Sequence, residues 1–345
     1  MRFQLLGKSG LKVSQICLGT MTFGVESGFG AEEFQCRQMF DAYLNAGGNF
    51  IDTANIYSGG RSEKLLSNFI ATERSRLVLA SKFSMTTQAS DPNAGGNSRK
   101  NLQQSLEASL KRLGTEYIDI YWVHAWDSVT PLDELLRALD DAVRAGKILY
   151  TGFSNVPAWV VARAQTLAEF TSTPRFIALQ LHYSLVERNI ERELAPCADA
   201  LGLGITAWSP LGGGILTGKY SSDPVLRAQQ PGRLTTTGWG NFFLNDRNLN
   251  IAQRVMELAR QLGKTPGQVA IRWLLQRPQP VIPIVGARNV EQLIDLLEAT
   301  EFNLNAESLS FLETASAIEH GYPGSLLHGA AGQRMVHGAC FNVRD

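Results

Sequence analysis

The sequence predicts an α/β chain folded as a (β/α)8 TIM barrel, and three observations carry that prediction. Eight short β-rich runs alternate with segments whose apolar residues recur at helical spacing. Such alternation forces parallel pairing through crossover connections, and eight is the number of strands that closes into a barrel. No strand followed by G-x-G-x-x-G and a helix occurs, which counts against the rival, a doubly wound open sheet.

The elements follow in order. An N-terminal hairpin is expected over residues 3–14, with arms 3–6 and 11–14 joined by the turn Gly7-Lys8-Ser9-Gly10. Strands are expected near 16–19, 49–52, 77–81, 118–123, 149–153, 177–181, 204–208 and 281–283. Helices are expected near 36–46, 62–72, 100–113, 131–145, 157–169, 192–201, 249–262 with 266–276, and 290–299. Gly146 and Gly202 each follow a helix, while Pro131, Pro157 and Pro266 stand where a first turn begins. No composition break or Pro/Ser-rich linker divides the chain, so residues 1–345 are expected to form one domain. Residues 212–248, with Pro224, Pro231 and five glycines from Gly212 to Gly232, are too long for a plain barrel connection and are expected to be a long loop.

Composition narrows the function. With 345 residues, 44% of them hydrophobic and 19% charged, the chain can build a large core. Thirty-two basic residues balance thirty-two acidic ones, so no global field draws it to nucleic acid or to an anionic membrane. The first ten residues hold no apolar run of the kind a secretory signal needs. Apolar stretches such as 281–285 fall far short of the ~20 residues that cross a bilayer. Cys17, Cys36, Cys197 and Cys340 form no C-x-x-C pair, which fits reduced thiols in a cytoplasmic enzyme and offers no metal framework.

The stretch from Gly213 to Gly218-Lys219 matches G-x-x-x-x-G-K after a strand. Tyr220 stands where a Ser or Thr would hold magnesium, and Ser-Ser-Asp-Pro replaces the helix, so a nucleotide triphosphatase is rejected. Its glycines and Lys219 retain the chemistry to wrap a pyrophosphate, against the alternative of an ordinary turn.

In such barrels, polar residues at the C-terminal ends of strands face a shared mouth. Here three successive strands end in Asp52, Lys82 and His124, and Tyr57 follows Asp52 by five residues. Singly, Asp52 could cap a turn, Lys82 be solvated, His124 be a core histidine and Tyr57 be packing. Their joint arrival favours chemistry. When hydride adds to a carbonyl carbon, charge grows on oxygen and must meet a proton donor and hydrogen-bond donors. Tyr57 can give the proton, and an adjacent Lys82 is expected to lower its pKa from ~10. Asp52 would hold Lys82, and His124 would orient the carbonyl. Nothing pairs a serine or cysteine with a base, so acyl transfer and hydrolysis rank low.

The run from Asp52 through Tyr57 to Glu63, with Ser81-Lys82 and Val123-His124-Ala-Trp-Asp127, resembles the aldo-keto reductase family over nearly the whole chain. The Gly-Gly-Gly-Ile-Leu-Thr-Gly-Lys stretch is similar to its bacterial and channel-subunit branch. The resemblance implies reversible, NADPH-dependent reduction of an aldehyde or ketone without a metal, with Asp52, Tyr57, Lys82 and His124 as the catalytic four. It implies that Gly19, Thr20, Met21 and Asp52 meet the cofactor, that Ser154, Asn155 and Gln180 hold the carboxamide, and that Trp208 stacks on the nicotinamide. Ser209, Pro210, Leu211, Gly213, Gly218 and Lys219 fall on the pyrophosphate belt, and Gly286, Arg288 and Gln292 on the adenosine 2′-phosphate and adenine site. Asp295-Leu296 departs from the common acid-Asn pair, so an amide contact to adenine is expected to be lost. Phe23, Phe83 and Trp126, with Tyr57 and His124, are expected to line an apolar substrate pocket, and Ala125 to enlarge it. The tail 324–345 departs from the family pattern. A monomer or weak homo-oligomer acting on a small carbonyl compound is expected. Two rivals are a nicotinamide-sensing regulatory subunit, for which no docking tail stands out, and a barrel hydrolase or lyase.

Overall fold

The computed structural model describes residues 1–221, 223, 225, 226, 232–236, 238 and 240–338. An antiparallel hairpin, β1 (Phe3–Leu5) and β2 (Lys12–Ser14), comes first. The strands β3 (Cys17–Gly19), β4 (Phe50–Asp52), β5 (Val78–Phe83), β6 (Ile118–Val123), β7 (Ile148–Ser154), β8 (Phe176–His182), β9 (Gly204–Trp208) and β10 (Val281–Val285) follow. Each pairs in parallel with its neighbours in sequence, and β10 closes on β3 to complete an eight-stranded barrel. All eight expected strands are present. β5 runs two residues further than expected because Lys82 and Phe83 go on pairing with Trp122 and Val123.

Around the barrel lie α1 (Glu33–Asn45), α2 (Arg61–Ile70), α3 (Arg99–Leu113), α4 (Leu132–Arg144), α5 (Ala158–Thr171), α6 (Leu194–Leu201), α7 (Asp246–Leu262), α8 (Pro266–Leu275), α9 (Val290–Leu297) and α10 (Ala306–Ala315). α1 starts three residues earlier than its apolar pattern, because Glu32 and Gln35 form a capping box through their side chains. Thr265 and Gln268 do the same for α8, with Pro266 in the first turn as expected. Pro131 and Pro157 instead occupy the cap position itself, one residue ahead of α4 and α5.

Side-chain alternation sorts each strand into an inward and an outward row. Phe50 on β4, Val78 and Ala80 on β5, and Ile120 and Trp122 on β6 fill the barrel interior. Ile51, Leu79 and Phe83, Tyr121 and Val123 face the helices. Leu6 and Val13 of the hairpin segment join the inner cluster, and the Lys8 amide donates to the Gly202 carbonyl at 2.7 Å. The hairpin therefore plugs the N-terminal floor, leaving the C-terminal mouth as the open end.

The described part of residues 212–248 holds short helical pieces. A 3-10 helix (Gly212–Thr217) and two short helical turns (Arg233–Thr236 and Gly240–Phe243) punctuate it, and α7 begins within it. The tail is helical over Gly324–His328 and Ala330–His337. Pro224, Pro231 and Cys340 lie outside the described residues. Among those described, no helix is long and apolar enough to cross a membrane.

Candidate active site

The inward rows of β4 and β5 end in Asp52 and Lys82, and His124, one residue past β6, continues the row of Ile120 and Trp122. The chain after β4 doubles back through the turn Tyr57–Gly60, which brings the Tyr57 ring over Lys82. Lys82 is wholly buried and ion-paired with Asp52. Its ammonium also donates to the Thr53 carbonyl at 2.7 Å and to the Tyr57 hydroxyl oxygen at 3.0 Å. The other oxygen of Asp52 accepts from the Gln180 amide at 2.8 Å. Three donors of Lys82 are thus spent on three oxygens, one of them the phenol's.

Burial works against the Lys82 ammonium, but Asp52 and then Tyr57 outweigh it and raise its pKa, so the side chain stays charged. The expectation for Tyr57 needs correction. Lys82 does favour its phenolate, yet burial is the larger effect and the net shift is upward, which keeps the proton on the oxygen. Burial, with a smaller contribution from Lys82, lowers His124 to about 3, so its imidazole is neutral. Its Nδ1 is buried without a hydrogen-bond partner. The ring meets Tyr57 edge-on, centroids 6.2 Å apart, and its backbone is pinned on both sides, the amide by Phe83 and the carbonyl by the Asn155 side chain at 2.8 Å.

Asp52, Tyr57 and His124 open onto a cavity of about 560 Å³ at the barrel mouth, with Lys82 sealed beneath it. Gly19, Met21, Ser154, Asn155, Gln180, Trp208, Ser209, Pro210, Leu211, Gly213, Lys219, Gly286, Arg288, Gln292 and Asp295 also form its wall. The family resemblance assigns these positions to the cofactor site. Two features of this wall fit an extended dinucleotide. Gly213 and Gly214 carry positive φ angles of 65° and 99° and present bare backbone to the cavity. Lys219, Arg233 and Arg288 converge on it, and burial together with both arginines depresses the Lys219 ammonium. Gathering cations in this way costs free energy that a bound polyphosphate would offset. Trp208 lines the cavity, and its ring stacks on His182 at 4.1 Å with 12° between the planes.

Several assigned residues lie elsewhere. Thr20 is fully buried, its hydroxyl donating to the Asp52 carbonyl at 3.0 Å and accepting from Ser62, so it braces the strand ends instead of lining the mouth. Gly218 ends the Gly212–Thr217 turn in a left-handed conformation and packs on Met256. Phe23 packs in the outer core against Phe69. Phe83 stacks on Tyr121 at 5.2 Å, because it is one residue past Lys82 and must face the other way. Trp126 packs against the outer core, off the cavity wall. Apolar side chains that do line the cavity include Met21, Phe29, Ile56 and Met85. Ile56 sits beside Tyr57 and was open to inference; Phe29 and Met85 lie in loops without a periodic signal. Arg233 was also missed. It reaches the cavity from the 212–248 segment, its guanidinium 4.8 Å from the Phe29 ring centroid. Among the described residues no cluster of potential metal ligands occurs.

Comparison with known proteins agrees with this architecture. The profile of the aldo/keto reductase family matches residues 15–317. The uncharacterized oxidoreductase YrpG of Bacillus subtilis is 38% identical over 324 residues, covering 90% of this chain and 95% of the relative. An aryl-alcohol dehydrogenase [NADP(+)] of Phanerodontia chrysosporium is 32% identical, covering 97% and 91% respectively. Norsolorinic acid reductase of Aspergillus flavus is 31% identical, covering 94% and 83%. A match over most of the chain, a closed eight-stranded parallel barrel and relatives named as oxidoreductases lead to one conclusion: the chain belongs to the aldo/keto reductase family.

Proposed function

We propose that the protein reduces an aldehyde or ketone to the alcohol, reversibly, with NADPH as the hydride source. The observation that carries this reading is the Tyr57 hydroxyl, backed at 3.0 Å by a buried ammonium and set at the wall of a cavity rich in cations. A nicotinamide dinucleotide, when bound, would supply the hydride that adds to the carbonyl carbon. Tyr57 gives its proton to the carbonyl oxygen as charge develops there, and Lys82, already bonded to the phenol oxygen, stabilises the phenolate left behind. Asp52 keeps Lys82 charged and aimed. His124, neutral at physiological pH, donates a hydrogen bond that orients the carbonyl without competing for the proton.

Trp208 and the Ser154, Asn155 and Gln180 group would hold the nicotinamide end. Ser209, Leu211, Gly213 and Lys219, with Arg233, would hold the pyrophosphate, and Arg288 with Gln292 the 2′-phosphate end. Arg288 supports preference for NADPH, since a guanidinium can pair bidentately with the extra phosphate. The wall of Met21, Phe29, Ile56 and Met85 suits an apolar substrate, and the names of the aryl-alcohol and norsolorinic acid relatives agree, so an aromatic carbonyl compound is the proposed class. Titration with NADPH should quench tryptophan fluorescence, and NADPH absorbance should then fall on adding an aromatic aldehyde. Absence of any nicotinamide nucleotide binding would defeat the proposal.

A further inference from the structure

Glu63 is a buried carboxylate with no place in the proton transfer just described. It lies in the first turn of α2, outside the barrel wall, with no exposure at all. One of its oxygens accepts from the Ser81 hydroxyl at 2.6 Å, and the other accepts from Arg112 Nε on α3 at 2.7 Å. Ser81 is the residue next to Lys82 on β5. Arg112 meanwhile packs beneath the turn that carries Tyr57. A Cβ placed on Gly60 would meet Arg112 Cδ at 3.0 Å and Nε at 3.2 Å. That turn runs through three consecutive left-handed residues, Ser58 (φ 48°), Gly59 (φ 61°) and Gly60 (φ 87°). Ser58 holds a conformation that side-chain-bearing residues avoid, so its surroundings must impose it.

We propose that Glu63, through Ser81 and Arg112, is a positioning residue that sets the spacing between Lys82 and the Tyr57 hydroxyl. On one side it fixes the strand that delivers the ammonium; on the other it fixes the support beneath the turn that delivers the phenol. The inference rests on the reading of Tyr57 as proton donor. Asp119 on β6 is the natural comparison. Its side chain accepts from the Leu79 amide at 2.9 Å and pairs with Arg74 at 2.8 Å, so it clamps the same strand β5 two residues nearer the floor. It touches neither Lys82 nor the Tyr57 turn. The two clamps are alike in burial and chemistry and differ in what they hold.

The test compares Glu63→Gln, Ser81→Ala and Asp119→Asn in the full chain. For each, unfolding in urea, NADPH affinity, kcat with an aromatic aldehyde and the pH profile of single-turnover reduction are measured. Displacement of a reacting group by about 1 Å can cost on the order of a hundredfold in rate. Glu63→Gln is therefore expected to lower kcat by roughly tenfold to a hundredfold with NADPH affinity within about twofold of the parent. Its high-pH limb should also move upward, because a phenol further from Lys82 holds its proton more tightly. Ser81→Ala, a mild change that serves even if Glu63→Gln does not fold, should shift kcat and the limb in the same directions by less. Asp119→Asn should lose stability while keeping kcat and the limb. The proposal is overturned if the Glu63 and Ser81 variants keep parental kcat and pH limb, or if Asp119→Asn moves both equally. Tyr57→Phe, assayed alongside, separates the two ideas: if it is inactive while the Glu63 and Ser81 variants are normal, only the positioning role falls.

Discussion

Replacing Lys82 by Met tests the buried pair at the base of the site. Methionine fills nearly the same volume but removes the ammonium, so Asp52, 2% exposed, loses its charged partner and keeps the neutral Gln180 donor at 2.8 Å. Breaking one half of a buried ion pair costs about 3–5 kcal/mol, because the remaining charge is stranded. Burial already pushes the Asp52 carboxyl up in the intact protein, with Lys82 pulling it back part of the way. Without Lys82 it rises further above its unfolded value of about 3.9. A group whose folded pKa is raised contributes stability below the unfolded pKa and loses it as pH rises through the folded one. The stability gap between Lys82→Met and the parent should therefore be widest near pH 8 and narrow as pH falls towards 5. Adding Asp52→Asn to Lys82→Met should recover much of the loss at pH 8. Urea unfolding followed by circular dichroism at both pH values measures this. An equal gap at pH 5 and pH 8, with no recovery in the double variant, would refute the reasoning.

Other expectations follow from the same geometry. Arg288→Ala should cut the preference for NADPH over NADH roughly tenfold to a hundredfold, the equivalent of one charged hydrogen bond of about 1.5–3 kcal/mol; an unchanged ratio of the two dissociation constants would remove Arg288 from the role. His124→Ala should slow single-turnover reduction by about a hundredfold or more, the scale of one donor to a developing oxyanion, while leaving NADPH binding near parental. Because burial lowers His124 to about 3 and His182 to about 4, the unfolded chain takes up their protons first on acidification. Both histidines thus weaken the fold as pH drops below about 6.5, each by at most about 1.4 kcal/mol per pH unit. His182→Phe should flatten that slope in urea unfolding between pH 6.5 and 4.

The barrel was legible because its physics is local and repetitive. An apolar strand whose inward row ends in a polar residue, as Val78 and Ala80 end in Lys82, announces both the fold and the mouth. The same alternation sends Phe83 to the opposite face, so its placement in the outer core is also written in the sequence, against the expectation that it lines the pocket. Phe23 departs from the expectation for another reason: it follows β3 closely, yet it turns back to pack on Phe69. The cavity's apolar wall was not legible. Met85 sits in the connection after β5, whose path is held by cross-loop bonds such as Asn97 to Asp127, with the Asp127 amide donating to Asn97 Oδ1 at 2.9 Å and the Asn97 amide to Asp127 Oδ2 at 2.7 Å. Such reciprocal contacts between distant loops leave no period in either segment. Arg233 was hidden likewise, since only the folded path of the 212–248 segment brings it to Lys219. The direction of the Tyr57 shift was missed because a sequence gives the neighbouring charge but not the depth of burial that outweighs it.

The most direct test is single-turnover reduction by Tyr57→Phe, a change that keeps the ring against His124 and removes only the hydroxyl. Enzyme loaded with NADPH is mixed with an aromatic aldehyde and the loss of NADPH absorbance is followed over the first turnover, alongside cofactor affinity from tryptophan quenching. The account predicts near-parental NADPH affinity and a rate reduced by at least about a hundredfold, the lower end of what a positioned proton donor contributes. A folded Tyr57→Phe protein that consumes NADPH at the parental rate would contradict it.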